Sequence, residues 1–351
     1  MLGSLARLAR SRVAQAAAAS ATGLAFAAVA SSTSNVSECA TSKPDGLRQL
    51  RGPSTTSNFA LAEHFHGKRS VRVLRVRREQ GKNDTVQEYT VATRLFSPMY
   101  NKVFTQEDNE GLVATDTQKN TVYVIAQKSS ATTPEGYALD LARHFLSEYP
   151  MLTAVEIDVS EDLWERTTVD GQAHEHGFVR TAPEKATAFV RITREDPDDP
   201  EIRSGISGLV VLKTTQSGFT NYHKDKYTLL PETMERCLAT SMDLQWTYTP
   251  GHKKMGIDFG AVREGLRTEM LRAFFGPAVG GVYSASLQAT IYDAGCVALK
   301  ALPAVKDISI FTPNIHMIPF MPLEKFGSKF QDDVYVATSE PAGTIKCTVS
   351  R

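Results

Sequence analysis

The stretch REDPDDPEIRSG at residues 194–205 decides how the rest of the chain is read. It is densely charged, holds Pro197 and Pro200, and ends in glycine, the composition of a connection between structured blocks. Before it, Val71, Val73 and Val76 open a β-rich run, and YTVATRLF at 89–96 reads as a second strand beyond a polar turn around Gly81, Asn83 and Asp84. NTVYVIAQ at 120–127 reads as a third strand. Thr133-Pro134-Glu135 then supplies a capping hydroxyl, a proline for the first helical position and an acid for the first turn. Tyr137, Leu141, Phe145 and Tyr149 make that helix's apolar stripe, and strands follow at 152–159 and 186–192.

Beyond the connection a similar order returns. Strands are expected at 206–215 and 244–248, then a helix at 259–275 closed by Gly276-Pro277. A second helix at 286–302 would bury Leu287, Ile291, Ala294, Val297 and Ala298, and a strand at 308–318 follows. Two halves of strand–helix–strand order suggest a tandem duplication, with domains at 56–197 and 198–351. A chain of 351 residues has room for two such cores.

Lys+Arg and Asp+Glu both number 39, which argues against a basic nucleic-acid binder and against a polyacidic disordered chain. Cys39, Cys237, Cys296 and Cys347 are scattered with no CxxC pair, so neither a disulfide framework nor a structural zinc site is expected. His174-Glu175-His176 follows Asp170-Gly171 in what reads as a polar turn and lacks a third ligand nearby. No metal site is expected there.

Residues 1–55 are of another kind. Arg7, Arg10 and Arg12 precede an alanine-dominated run, then Ser/Thr-rich sequence, with no acidic residue before Glu38. That is the composition of an organelle transit peptide; Ala28-Val29-Ala30 keeps a secretory cleavage site in play. The run is too alanine-rich and interrupted for a spanning helix, so no membrane insertion of the mature chain is expected.

No phosphate loop, GxGxxG, HExxH or GxSxG is present. Weaker features remain. Val113-Ala114-Thr115-Asp116 ends in small polar residues before the expected third strand, Phe219 is a lone aromatic among Ser217, Gly218 and Thr220, and Gln288 lies in the first turn of a helix. Asn314 and His316 share one face of a strand.

Seven segments in a fixed order join these features. They are HGKRSVRVLRV (66–76), VATDTQKNTVYVIAQK (113–128), WERTTVDGQAHEHGFVR (164–180), SGLVVLKTTQSGF (207–219), KDKYTLLPETMERCLAT (224–240), SASLQATIY (284–292) and PNIHMIPF (313–320). Together they resemble urate oxidase (uricase) over nearly everything after residue 65. The resemblance implies an α+β fold of two tandem T-fold domains, each an antiparallel sheet with helices on one face. Four chains would assemble into a barrel with active sites between subunits.

The resemblance also implies roles. Phe219 would stack on the purine, Arg236 would grip its anionic edge, and Gln288 would read the amide-like edge. Leu287 would offer a backbone N–H, and stands where many members carry valine. Thr115 and Asp116 would reach the ring from the adjacent subunit, largely through main-chain N–H groups. Lys68 and Thr115 would act as a catalytic dyad completed by His316, and Asn314 would hold O2 or water above the ring. A lysine acting as base needs its pKa lowered by burial or nearby positive charge. The implied reaction needs no metal and no organic cofactor, and gives 5-hydroxyisourate and hydrogen peroxide from urate and O2. Peroxisomal location is the family's habit, whereas the leader and the ending Thr348-Val349-Ser350-Arg351, which is not SKL-like, point to another import route such as the mitochondrial one. Two other readings are a T-fold enzyme acting on pterins, disfavoured by the Arg236/Gln288 pair, and an inactive purine-binding assembly protein, disfavoured by Lys68, Thr115 and His316 together.

Overall fold

Strict alternation makes the sheet. In β2 (Thr85–Phe96) every second residue from Gln87 to Leu95 is buried, so Gln87, Tyr89, Val91, Thr93 and Leu95 line one face. Its neighbours β1 (His66–Arg77) and β3 (Ala154–Val169) bury Val71, Val73, Val155, Ile157 and Val159 on that same face. This computed structural model describes residues 59–78, 84–251 and 256–351; the expected leader and the turn at Gly81 and Asn83 lie outside the described residues.

The remaining strands are β4 (Gln172–Thr193), β5 (Glu201–Lys213), β6 (Leu238–Tyr248), β7 (Val305–Pro319), β8 (Tyr335–Thr338) and β9 (Thr344–Ser350). They pair antiparallel in sequence order from β1 to β7. The long β7 then pairs β9 along its first part and β8 along its last. Helices α1 (Asn101–Gln106), α2 (Thr115–Lys128) and α3 (Pro134–Glu148) lie between β2 and β3, and α4 (Phe259–Phe275) and α5 (Leu287–Ala301) between β6 and β7. Leaving the short α1 aside, β1–β2–α2–α3–β3–β4 is followed by β5–β6–α4–α5–β7 and then two further strands, β8 and β9.

The helices stack on the apolar face. Thr133 caps α3 by accepting from the Gly136 amide, Pro134 opens it, and Tyr137, Leu141 and Phe145 are fully buried beneath it. Ser286 caps α5 in the same way, and Leu287, Ile291, Ala294 and Ala298 pack inward. Val297 was expected inside but is 39% exposed, because it projects past the stripe that meets the sheet.

Three expectations need correcting. Residues 120–127 are not a strand but part of α2, which buries Gln118, Val122, Ile125 and Ala126 and exposes Tyr123 and Val124. The connection is shorter than 194–205: β5 begins at Glu201, and Ile202, Ser204 and Gly205 are already paired. Arg194 is also pinned, donating to the carbonyls of Leu146, Tyr149 and Leu152 at the end of α3. Finally, His174-Glu175-His176 lies in strand β4 just past the Asp170-Gly171 turn, where the two rings meet edge-on.

Between the helix pairs, Glu135 of α3 forms an ion pair with Arg263 of α4, and beside them Ser204 of β5 and Tyr248 of β6 share a hydrogen bond of 2.6 Å. Glu161 follows Val159 on the same face of β3, and burial pushes its carboxyl up to about 7, with Arg263 opposing and Glu135 reinforcing. A folded-state pKa above the unfolded one means that stability is fully present in acid and is lost as pH rises towards 7. Glu161→Gln should therefore raise the melting temperature at pH 8, by roughly 2–4 °C per kcal/mol recovered. At pH 5 it should change little. Melting curves of both proteins at both pH values check this; an equal gain at the two would refute it.

Candidate active site

Lys68 stands opposite Thr93 in the β1–β2 ladder, so both project to the helix-bearing face. A bulge between Lys68 and Val71, with Ser70 at φ 60°, frees the strand end to aim its side chains independently. The Lys68 amide donates to Thr93 Oγ1 at 3.2 Å, Thr93 Oγ1 donates to Gln118 Oε1 at 2.7 Å, and Gln118 Nε2 donates to the Val113 carbonyl at 3.0 Å. With Gln118 and Thr93 buried, this chain fixes Lys68 against the start of α2.

Thr115 and Asp116 open that helix. The segment expected as a loop before a strand is thus a helix N-terminus. Its N-cap is Ala114, which supplies no side-chain cap, so the first amides of α2 face outward without an intrahelical acceptor. Such amides suit an anion or an electron-rich ring edge. The Asp116 carboxyl is exposed and held below its usual pKa first by Lys119, with Asn120 and Lys68 adding to the effect.

The second group lies beyond β5. Phe219 is tied by paired backbone bonds to Thr233, at 2.7 and 3.1 Å, and its ring stacks on Tyr222 with centroids 4.8 Å apart and planes 11° from parallel. Gly218 beside it admits no side chain, since a Cβ would overlap the Tyr283 hydroxyl and crowd the Thr233 carbonyl. The Arg236 amide donates to Ser217 O at 2.8 Å, and its guanidinium lies 5.4 Å from the Phe219 ring centre. Arg236 Nε and Ser217 Oγ are buried and have no hydrogen-bond partner. Burial lowers the Arg236 pKa, with Tyr283 opposing.

Leu287 and Gln288 open α5, where Ser286 Oγ accepts the Ala289 amide and leaves the two preceding amides without an intrahelical acceptor. The Leu287 side chain is buried while that of Gln288 is exposed. On β7, Asn314 and His316 continue the row of Ile308, Ile310 and Thr312 beyond the core. The Asn314 amide donates to Gly343 O at 2.9 Å, and Asn314 Oδ1 is buried without a partner. His316 is held opposite Thr338 of β8.

The structure thus gathers the candidates into two groups and does not bring the groups together. Lys68 is on β1, at one end of the sheet; Asn314 and His316 are on β7, with five strands between. At ~4.8 Å per strand step that is about 29 Å along the sheet. A concavity of about 550 Å3 touches Lys68, but it lies against the bare face, among Arg94, Asp158, Phe189, Arg203 and Gln245, away from the second group. Sequence reasoning missed Tyr222, Thr93 and Gln118, which support candidates; an aromatic three residues after Phe219 was the one local signal available. Among the described residues, no group of three or more His, Cys, Asp and Glu side chains could hold a metal ion.

The uricase family profile matches residues 64–191 and 202–346. The chain is 40% identical over 296 residues to a soybean (Glycine max) protein named uricase-2 isozyme 2, covering 82% of this chain and 94% of that relative. It is 36% identical over 287 residues to the uricase of rabbit (Oryctolagus cuniculus), covering 82% and 93%. Among solved structures, the uricase of Arthrobacter globiformis superposes with a TM-score of 0.74 at 32% identity, covering 84% of this chain and 96% of that one.

Proposed function

The chain belongs to the uricase family, and we propose that it oxidises urate with O2 and water to 5-hydroxyisourate and hydrogen peroxide, in sites completed by a second copy of itself. The halves, divided at 197/198, act as tandem T-folds. The observation that carries the shared site is the distance between its two parts along one sheet, with Lys68 on the edge strand β1 and Asn314 and His316 six strand steps away on β7. Each end leaves a strand edge with unpaired backbone groups, which another copy can cover. Closing sheets end to end would set Lys68, Thr115 and Asp116 of one copy against Phe219, Arg236, Gln288, Asn314 and His316 of the next. A homotetramer, built from two such closed pairs, follows the family's assembly.

In this arrangement the purine anion lies on Phe219, whose other support is Tyr222. Arg236 donates to the anionic edge and meets the charge that its buried Nε lacks. Gln288 gives a donor and an acceptor to the amide-like edge, with the Leu287 amide beside it, and the open amides of α2 approach from the other copy. Binding as the dianion makes urate able to pass an electron to O2. Lys68, through Thr115, takes the proton and His316 completes its route, while Asn314 holds O2 or water above the ring, its Nδ2 donating to either and its unpartnered Oδ1 accepting only from water. No metal or organic cofactor enters these steps.

Loss of urate absorbance, with oxygen uptake and peroxide followed in parallel, tests the reading. Protein dialysed against a chelator should keep its full rate with about one O2 consumed and one peroxide formed per urate. Activity that disappears with a stoichiometric metal would overturn the cofactor-free part, and the absence of urate turnover would overturn the whole. Among the described residues no helix is long and apolar enough to cross a membrane. A peroxisomal location follows the family, with a mitochondrial one as the alternative raised by residues 1–55; organelle fractionation separates the two.

A further inference from the structure

One buried cation takes no part in the scheme above. Lys213 ends β5 on the helix-bearing face, continuing the row of Leu209 and Val211, and is only 7% exposed. Among the described residues no carboxylate pairs with it. Its Nζ instead donates to the Val282 carbonyl at 2.7 Å and to Ser284 Oγ at 2.8 Å, and lies 5.4 Å from the centre of the Phe274 ring. A lysine in such a place is costly, because neutral oxygens and a ring face replace water only in part.

What Lys213 grips is the junction of the substrate-binding segments. Ser284 bridges in parallel to Ser217, with its amide donating to Gln216 O at 2.9 Å and its carbonyl accepting from the Gly218 amide at 3.0 Å. Ser217 O in turn takes the Arg236 amide, and Gly218 leads directly into Phe219. On the other side, Thr290 Oγ1 donates to Ser286 O at 2.9 Å and shares a hydrogen bond of 2.7 Å with Ser284 Oγ, which ties the same serine to the first turn of α5 and so to Gln288. Phe219, Arg236 and Gln288 come from three separate parts of the chain, and Ser284 is where their supports meet.

We propose that Lys213 is the positioning residue of the urate site: its ammonium locks Val282 and Ser284 beneath the segments bearing Phe219, Arg236 and Gln288, and sets a fixed positive charge behind the bound anion. This deepens the reading of the chain as a urate-oxidising enzyme and rests on it. Among the described residues the charge has no anionic partner, and an anion arriving over Arg236 would supply one. Burial also lowers the Lys213 pKa, so that the charge is lost at a lower pH than for an exposed lysine.

The test uses the full-length protein, wild type, Lys213→Met and Lys213→Arg. Urate binding is measured by calorimetry without O2, where no turnover occurs, and kcat and KM are measured in air. Wild-type protein that binds no urate refutes the functional reading itself. Given wild-type binding, Lys213→Met should weaken urate affinity about tenfold or more, the scale of losing hydrogen bonds from a charged donor. Lys213→Arg, which keeps the charge and the donors, should bind within about threefold of wild type. A folded Lys213→Met protein with wild-type affinity overturns the proposal, as does equal impairment of the two variants. If Lys213→Met fails to fold, Lys213→Arg decides alone: near-wild-type binding supports the proposal, and a tenfold loss overturns it.

Discussion

Lys68→Ala should lower kcat for urate by roughly 10²–10⁴, the usual share of a general acid–base group, while urate measured without O2 binds within about threefold of wild type. The site is built so that this substitution isolates the amine. Lys68 is held to Thr93 through its backbone, with its amide donating to Thr93 Oγ1, so alanine leaves the Thr93–Gln118–Val113 chain and the start of α2 in place. The substitution should cost little stability, since the side chain is only half-buried. Lys68→Arg should not restore the rate, because a guanidinium stays protonated and cannot act as a base. A large rise in KM with kcat unchanged would instead make Lys68 a binding residue. A wild-type rate in Lys68→Ala would remove it from the mechanism.

How far the sequence foretold this arrangement varied with the kind of signal. The helices of the second half were legible because their punctuation is chemical: Asp258 and Ser286 cap α4 and α5, and Gly276 ends α4 at the expected residue. α2 was misread because TVYVI at 121–125 has the β-branched, aromatic composition of a buried strand. Its helix is fixed instead by where its residues are buried, at Gln118, Val122, Ile125 and Ala126. Asp116 in its first turn and Lys128 in its last were the overlooked local hints. The strands β8 and β9 were not foreseen at all, since alternating half-exposed segments such as TIKCTVS at 344–350 bury too little to stand out.

The candidate site was legible by a different route. Composition and spacing left Lys68 indistinguishable from a surface lysine beside Arg69, and His316 from a packed strand histidine. Only the seven ordered segments joined them. What no local pattern could show is that Lys68 falls on the edge strand β1 and Asn314 and His316 six strand steps away on β7, because that follows from the strand order. The supports Thr93, Gln118, Ser284 and Lys213 were equally hidden, for each gains its meaning from a partner distant in sequence.

Arg236→Ala should cut urate affinity by about 10²–10⁴, since it removes a bidentate, charge-assisted contact of which each bond contributes roughly 1.5–3 kcal/mol. Arg236→Lys should recover only part of this, because an ammonium restores the charge without the planar fork. kcat at saturating urate should fall far less than in Lys68→Ala, for Arg236 holds the substrate and moves no proton. The two variants then test the shared site directly. If each site takes Lys68 from one copy and Arg236 from another, the two defective proteins are complementary. Co-assembled from denatured or co-expressed chains, they should form some interfaces carrying both intact halves and others carrying both lesions. Activity should therefore return in the mixture, up to about a quarter of the wild-type rate for random pairing at equal amounts, with wild-type urate affinity in the recovered fraction. Were Lys68 and Arg236 to serve the same site from one chain, every site would carry one lesion and mixing would recover nothing. Mass spectrometry of the assembled species fixes the fraction that is mixed, so a mixed population without recovered activity would show that one chain builds its site alone.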